Sequence, residues 1–184
     1  MNLTYVIVAG GQGKRLGGRH KGLISLGGRP IVQNLVEIAA GWPTWINTNV
    51  PEPYAFLKIP MVGDIVPNRG APGGILTALW LAQTEWIAVV ACDMPFVTRR
   101  EFELLMEGAS EDVDVVCFRR DNRYEPMVAL YRRQLLQTWL PLVVANPSMQ
   151  RLLQSARVRA SEISDDRLLQ SINTPDDLER CTLK

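Results

Sequence analysis

A short apolar run, Thr4-Tyr5-Val6-Ile7-Val8-Ala9, passes without a break into Gly10-Gly11-Gln12-Gly13-Lys14-Arg15-Leu16-Gly17-Gly18-Arg19-His20-Lys21. This junction constrains the fold more than any other stretch. The run reads as a buried strand, and a flexible loop followed by concentrated positive charge must then lie at its C-terminal end. Glycine lets a backbone turn through φ > 0 and lets N–H groups approach an oxyanion with no Cβ in the way. Arg and Lys supply charge-assisted hydrogen bonds to phosphate oxygens. The loop therefore reads as a cradle for a nucleoside triphosphate, with metal, base contacts and a second substrate left to later segments.

Spacing narrows the loop further. It lacks the GxxxxGK[ST] pattern of a P-loop, and it is not GxGxxG with an acidic residue about 20 positions on, which disfavours a dinucleotide oxidoreductase. Lys14, Arg15, Arg19 and Lys21 are four cations in eight residues with no acid beside them. They repel one another unless solvent or an anion balances them. The plainer reading is a loose surface turn. Arg15 and Lys21 are the two expected to work on phosphate, while Lys14 and Arg19 are as readily solvated.

The rest of the chain alternates strands and helices. Pro30 is placed to open a helix, with Ile31, Leu35, Ile38 and Ala39 on one face and Gly41-Trp42-Pro43 as its stop. Thr44–Asn49 and Ile59–Asp64 read as the second and third strands. A second glycine-rich loop, Pro67–Gly74, opens a helix carrying Ile75, Leu76, Leu79 and Ala82. Trp86–Cys92 is apolar on both faces, as a central parallel strand is. Thr98 and Glu101 form a capping box. Val113–Phe118 and Met127–Tyr131 read as an antiparallel pair around a turn at Arg119–Arg123. Helices follow at Gln134–Leu140 and Ser148–Ala156, a late strand at Arg157–Ile163, and a last helix capped by Asn173 or Thr174 with Pro175 at its first position. The expected architecture is a single α/β domain over 1–184: three layers, α/β/α, around a mostly parallel, Rossmann-like sheet with an antiparallel portion.

Bulk properties exclude several classes of function. The chain has 184 residues, 47% hydrophobic and 21% charged, with a formal net charge of +1. That composition suits a globular core and gives no global electrostatic case for nucleic acid. No apolar run approaches the roughly 20 residues of a membrane span, and no signal peptide is legible. A cytoplasmic location is expected. Cys92, Cys117 and Cys181 are odd in number and form no CxxC, so neither disulfides nor zinc are indicated. His20 is the only histidine, which argues against a Ser-His-Asp triad. The five tryptophans are read as core packing.

In open parallel sheets ligands bind beyond the carboxyl ends of the strands. Ala9-Gly10, Asn47, Asp64 and Asp93 all fall there, so they are expected to share one crevice. Asp93, directly after a buried strand, suits Mg²⁺, which prefers one or two carboxylates plus phosphate oxygens and water; a loop or helix-capping aspartate is the plainer alternative. Asp64 could equally close a turn. Asn47 and Asn49 could bond a base or ribose, or serve only the turn.

Val8-Ala9-Gly10-Gly11, Arg15-Leu16-Gly17 and Lys21-Gly22-Leu23 resemble the signature of nucleotidyltransferases that activate sugars and cofactors. Four further stretches resemble the molybdenum cofactor guanylyltransferases: Gly70–Gly74, Ala91–Pro95, Glu125–Tyr131 and Ile172–Leu178. The resemblance implies the sheet of the nucleotide-diphospho-sugar transferases. It also implies transfer of GMP from GTP to molybdopterin with release of pyrophosphate. Mg²⁺, or Mn²⁺ in its place, is the implied cofactor. GTP and molybdopterin are the implied partners, with transient contacts to cofactor-biosynthesis or acceptor proteins. Carried over by position, Val8, Ala9, Gly10 and Gly11 meet the nucleotide through the backbone, Lys21 binds phosphate, and Arg15 faces the triphosphate. Asn47 and Asp64 hold the guanosine, Gly73 and Gly74 let their loop approach base or ribose, and Asp93 binds the metal. His20 stands where the family commonly has Asp, and is read as a solvated substitution. A cytidylyltransferase on a related phosphorylated acceptor, and a non-catalytic nucleotide-binding regulator, remain as alternatives.

Overall fold

The computed structural model describes residues 1–10, 20–163 and 165–182. Along the chain come β1 (Leu3–Val8), a small hairpin of β2 (Ser25–Leu26) and β3 (Arg29–Pro30), α1 (Ile31–Ile38), β4 (Thr44–Asn47) and β5 (Met61–Val62). They are followed by α2 (Ala71–Leu81), β6 (Trp86–Ala91), α3 (Arg99–Glu107), β7 (Val115–Arg120) and β8 (Arg123–Arg132). The chain continues with α4 (Leu135–Val144), α5 (Met149–Leu153), β9 (Val158–Glu162) and α6 (Pro175–Thr182). Seven of these strands form one sheet in the order β5-β4-β1-β6-β8-β7-β9. β1 pairs in parallel with β4 and β6, β4 with β5, and β7 with β9; β8 runs antiparallel to both β6 and β7. The expected three-layer fold with a mostly parallel sheet and an antiparallel portion is the fold observed.

Alternation along the strands divides the core in two. On β1, Leu3, Tyr5 and Ile7 pack with Ile31, Leu35, Phe102 and Leu105 of α1 and α3 on one face. Val6 and Val8 pack with Ile75, Leu79, Trp139 and Val143 of α2 and α4 on the other. This is the period-2 geometry of a strand covered on both faces. The capping box on α3 forms: Glu101 accepts from Thr98 N–H and the Thr98 hydroxyl accepts from Arg100 N–H.

Some details differ from the sequence expectation. Pro30 stands one residue before α1 and closes the hairpin. The β7–β8 connection is a two-residue turn, Asp121-Asn122, with φ of 48° and 59°. Both strands therefore extend into polar residues that hydrophobic pattern cannot reveal, because two-residue hairpins demand left-handed positions that Asp and Asn tolerate. Among the tryptophans, Trp45, Trp86 and Trp139 are core, but Trp80 is 49% exposed. All three cysteines are free and buried.

Asp114 ties the far end of the sheet together. Its oxygens accept from Arg157 N–H, Nε and NH2, and from Gln134 Nε2, all within 2.7–3.0 Å. The Arg157 bonds hold its carboxyl well below the usual carboxylate range. A depressed folded-state pKa adds stability above the unfolded value of about 4, and that stability is lost as pH falls toward the folded one. Urea unfolding of wild type and Asp114→Asn from pH 7 to pH 2 is expected to show wild type more stable at neutral pH, with the gap narrowing as pH falls below about 4.

Candidate active site

The parallel strands β5, β4, β1 and β6 end along one edge of the sheet, and β8, running the other way, begins there. A cavity of ≈ 580 Å³ opens at this edge, within the range of about 300–1,000 Å³ typical of small-molecule sites. Val8 and Gly10 from the end of β1, Lys21, Asp93, Asn49 and Asp64 all contribute to its wall. Glu125 and Met127 complete the β8 side.

At the centre, Lys21 Nζ donates to Asp93 Oδ2 at 2.7 Å and to Asn173 Oδ1. Both charged side chains are largely withdrawn from solvent, at 19% and 13% exposure. Gly22 makes the contact feasible. A Cβ there would lie 3.1 Å from Cys92 Cβ, 3.2 Å from Tyr54 Cε1 and 3.3 Å from Val32 Cβ. The backbone after Lys21 is thus pressed against the end of β6, where Asp93 begins. His20 packs edge-to-face on buried Tyr54, with ring centroids 5.9 Å apart. It is a half-buried packing residue and not the solvated substitution expected.

The C-terminal segment is drawn in by Ile172 N–H, which donates to Asp93 O at 2.9 Å. Between the two candidate caps of α6, Thr174 does the capping: its hydroxyl accepts from Asp177 N–H at 3.2 Å. Asp177 accepts from the N–H groups of Asn173 and Thr174, which lowers its pKa. That arrangement leaves the Asn173 side chain free to meet Lys21.

Nearer β5, Asp64 is clamped. Its Oδ1 accepts from Asn47 Nδ2 at 3.0 Å, its Oδ2 accepts from Asn49 Nδ2 at 2.9 Å, and its N–H donates to Asn49 Oδ1 at 2.8 Å. Asn47 is fully buried and also donates to Val62 O. It lies behind the cavity wall, while Asn49 and Asp64 face the cavity.

The second glycine loop is arranged differently from expectation. Gly70 and Ala71 line the cavity; Gly73 and Gly74 lie behind them. A Cβ on Gly74 would stand 2.5 Å from Asn47 Oδ1 and 2.8 Å from Val8 Cγ1, and one on Gly73 would stand 3.0 Å from Val66 O. The close approach these glycines allow is therefore that of α2 to the strand ends. On β1, Ala9 N–H donates to Asn47 O and Val8 O accepts from Cys92 N–H, so Gly10 is the first residue past the ladder. Gly11 and Arg15, like Lys14 and Arg19, lie outside the described residues. Cys92 also borders the cavity, but burial pushes its thiol up to about 12, so at neutral pH it stays protonated and is no nucleophile.

A charged pair amid hard oxygens, at strand ends beside a glycine loop, suits binding of a phosphorylated ligand. The MobA-like NTP transferase domain model matches residues 5–162, from within β1 to the end of β9. The chain belongs to this family. A molybdenum cofactor guanylyltransferase from Pseudomonas entomophila is 31% identical over 184 residues, covering 94% of each chain. Another, from Vibrio cholerae, is 32% identical over 136 residues, covering 72% of this chain and 67% of the relative. The crystal structure of molybdopterin-guanine dinucleotide biosynthesis protein A from Archaeoglobus fulgidus superposes with a TM-score of 0.83 at 24% identity, covering 98% of this chain and 97% of that one, and shows the same fold. The chain is a nucleotidyltransferase. Glu125 in the wall and Asn173 against Lys21 are signalled in the sequence only through family segments, Glu125 opening Glu-Pro-x-x-Ala-Leu-Tyr and Asn173 in Asn-Thr-Pro.

Asn49 is exposed, so its removal spares the core. Asn49→Ala is expected to keep the wild-type unfolding midpoint and to weaken nucleotide binding by about tenfold, the worth of one or two hydrogen bonds to a charged group. Isothermal titration with GTP and Mg²⁺ checks it.

Proposed function

We propose that the chain transfers GMP from GTP to the terminal phosphate of molybdopterin, forming the guanine dinucleotide of the cofactor and pyrophosphate. The observation that carries this reading is the Lys21–Asp93–Asn173 contact in the middle of a strand-end cavity, in a chain whose relatives are named molybdenum cofactor guanylyltransferases.

A phosphate oxygen of the acceptor attacks the α-phosphorus of GTP, the bond from that phosphorus to the bridging oxygen breaks, and pyrophosphate leaves with the electron pair. The nucleophile is already ionised at neutral pH, so no general base is needed. Catalysis is then positioning plus neutralisation of charge. Lys21 stabilises charge on the phosphates from a largely desolvated position, where its field is weakly screened. Asn173 holds the ammonium in place through a neutral oxygen. Arg15, which lies outside the described residues, is assigned to the triphosphate by its match to the family's loop arginine. Asn47 fixes Asp64, and Asp64 with Asn49 takes the guanosine.

The donor set fits a divalent metal. Among the described residues the cavity wall carries Asp64, Asp93 and Glu125 against Lys21. Those carboxylates repel a triphosphate, and a divalent cation offsets that repulsion. Asp93, with Asn173 Oδ1 beside it, offers the hard oxygens Mg²⁺ or Mn²⁺ prefers. An ion held there would polarise the α-phosphate and offset charge on the leaving pyrophosphate. On the same reading the enzyme is cytoplasmic, and its contacts with cofactor-biosynthesis or acceptor proteins are transient.

Pyrophosphate release is measured with Mg²⁺ and each of GTP, CTP and ATP, with and without molybdopterin. Release is expected with GTP and acceptor together; release with CTP and not GTP contradicts the guanylyl assignment. Asp93→Ala is expected to fold and to lose turnover by a factor on the order of 10³; near-wild-type turnover removes Asp93 from the site.

A further inference from the structure

Strand β8 departs from regular pairing where it enters the cavity. Cys117 of β7 pairs with Ala129, but its neighbour Phe118 pairs with Glu125, so Pro126, Met127 and Val128 have no counterpart on β7. Such an insertion bends the strand and re-aims its side chains, and proline is tolerated at it. Two bonds hold its shape. Fully buried Tyr131 donates its hydroxyl to Pro126 O at 2.7 Å, and Met127 N–H donates to Glu125 Oε1 at 3.0 Å. The result places Glu125 and Met127 in the cavity wall.

Glu125 there is under-supplied with partners. Burial, the largest cause, pushes its carboxyl above the usual carboxylate range. One backbone N–H meets Oε1, and no described residue donates to Oε2. A half-buried carboxylate kept in this condition gains most when a ligand brings the missing donors. Position says which ligand. Glu125 belongs to β8, on the opposite side of β6 from β1, β4 and β5. A nucleotide held at Asp64 and Asn49, with phosphates at Lys21, leaves the β8 wall to the acceptor. A carboxylate offers two coplanar oxygens, which match two adjacent N–H donors on the edge of a ring. The Met127 thioether offers a polarisable surface for the ring face.

Resting on the function proposed above, we infer that Glu125 is a specificity-determining residue for the acceptor, its carboxylate accepting from the adjacent N–H groups of a 2-amino-4-oxopyrimidine ring edge, as in a pterin, with Met127 against the ring. Guanine carries the same edge, so GTP contact and acceptor contact at Glu125 must be separated by experiment.

Steady-state pyrophosphate release by wild type and Glu125→Gln is measured against GTP, Mg²⁺ and molybdopterin in turn. Fluorescence titration with 6-hydroxymethylpterin, without nucleotide, reads the ring contact alone. Glu125→Gln keeps an oxygen for Met127 N–H but places an amide donor against a ring donor. Its KM for molybdopterin is expected to rise about tenfold or more, as for loss of a bidentate base-edge contact. Pterin affinity is expected to fall in parallel, with GTP KM and Mg²⁺ requirement unchanged. An unchanged acceptor KM and pterin affinity overturn the inference. So does a raised Mg²⁺ requirement, which would make Glu125 a metal ligand, or a raised GTP KM alone, which would make it a nucleotide contact. Wild type that releases no pyrophosphate with molybdopterin overturns the proposed function itself, and the inference with it. Should Glu125→Gln lose GTP binding and fold together, Glu125→Asp, which withdraws the carboxylate by one methylene, is expected to raise the same KM; an unchanged value again overturns it.

Discussion

The contact between the Lys21 ammonium and the Asp93 carboxylate is the constraint on which the site depends. It joins residues 72 positions apart, and Asn173, 152 positions from Lys21, meets the same ammonium. Withdrawing a lysine and an aspartate from water costs more than an exposed pair would gain, unless both are well placed and further hydrogen-bonded. The fold meets that condition from several directions. Gly22 lets the backbone after Lys21 approach the end of β6, Ile172 ties the C-terminal segment to the Asp93 backbone, and the Thr174–Asp177 cap leaves the Asn173 amide available. A charged pair held in this way has its geometry set before a ligand arrives, which is what electrostatic stabilisation of a transferring phosphoryl group requires.

The sheet also orders the cavity. Its strand order, β5-β4-β1-β6-β8, lays the wall residues out from Asp64 beyond β5, past Gly10 and Asp93, to Glu125 on β8. Antiparallel β8 matters here, because its first residues and not its last stand at the strand-end edge. In the proposed transfer the acceptor oxygen must reach the α-phosphorus from the side opposite the leaving pyrophosphate, and a wall that extends past Asp93 to β8 leaves room for a second ligand beside the nucleotide.

Much of this was legible in the chain. The run from Thr4 to Ala9, the doubly apolar Trp86–Cys92 stretch, the Thr98–Glu101 box and the aspartates after strands are local patterns, and local physics decides them. Other features depend on partners distant in sequence. Gly73 and Gly74 looked like ligand contacts because a glycine loop advertises close approach, but what approaches is Asn47 and Val8. Asn47 reads from the sequence as a base or ribose contact or as turn chemistry; burial under α2 makes it a support for Asp64. His20 packs on Tyr54, more than 30 residues away, a contact that no spacing reveals. The Pro126–Val128 insertion could not be read from an apolar strand, since a bulge is defined only by the register of its partner.

Which side of Asp93 the nucleotide occupies fixes the roles of Asp64 and Glu125. A crystal structure of the chain with GTP and Mg²⁺ decides it most directly. Guanine is predicted beside Asp64 and Asn49, the phosphates against Lys21 and the ion on Asp93, with Glu125 and Met127 left uncovered. Guanine seated on Glu125, with the Asp64 clamp empty, would contradict the account.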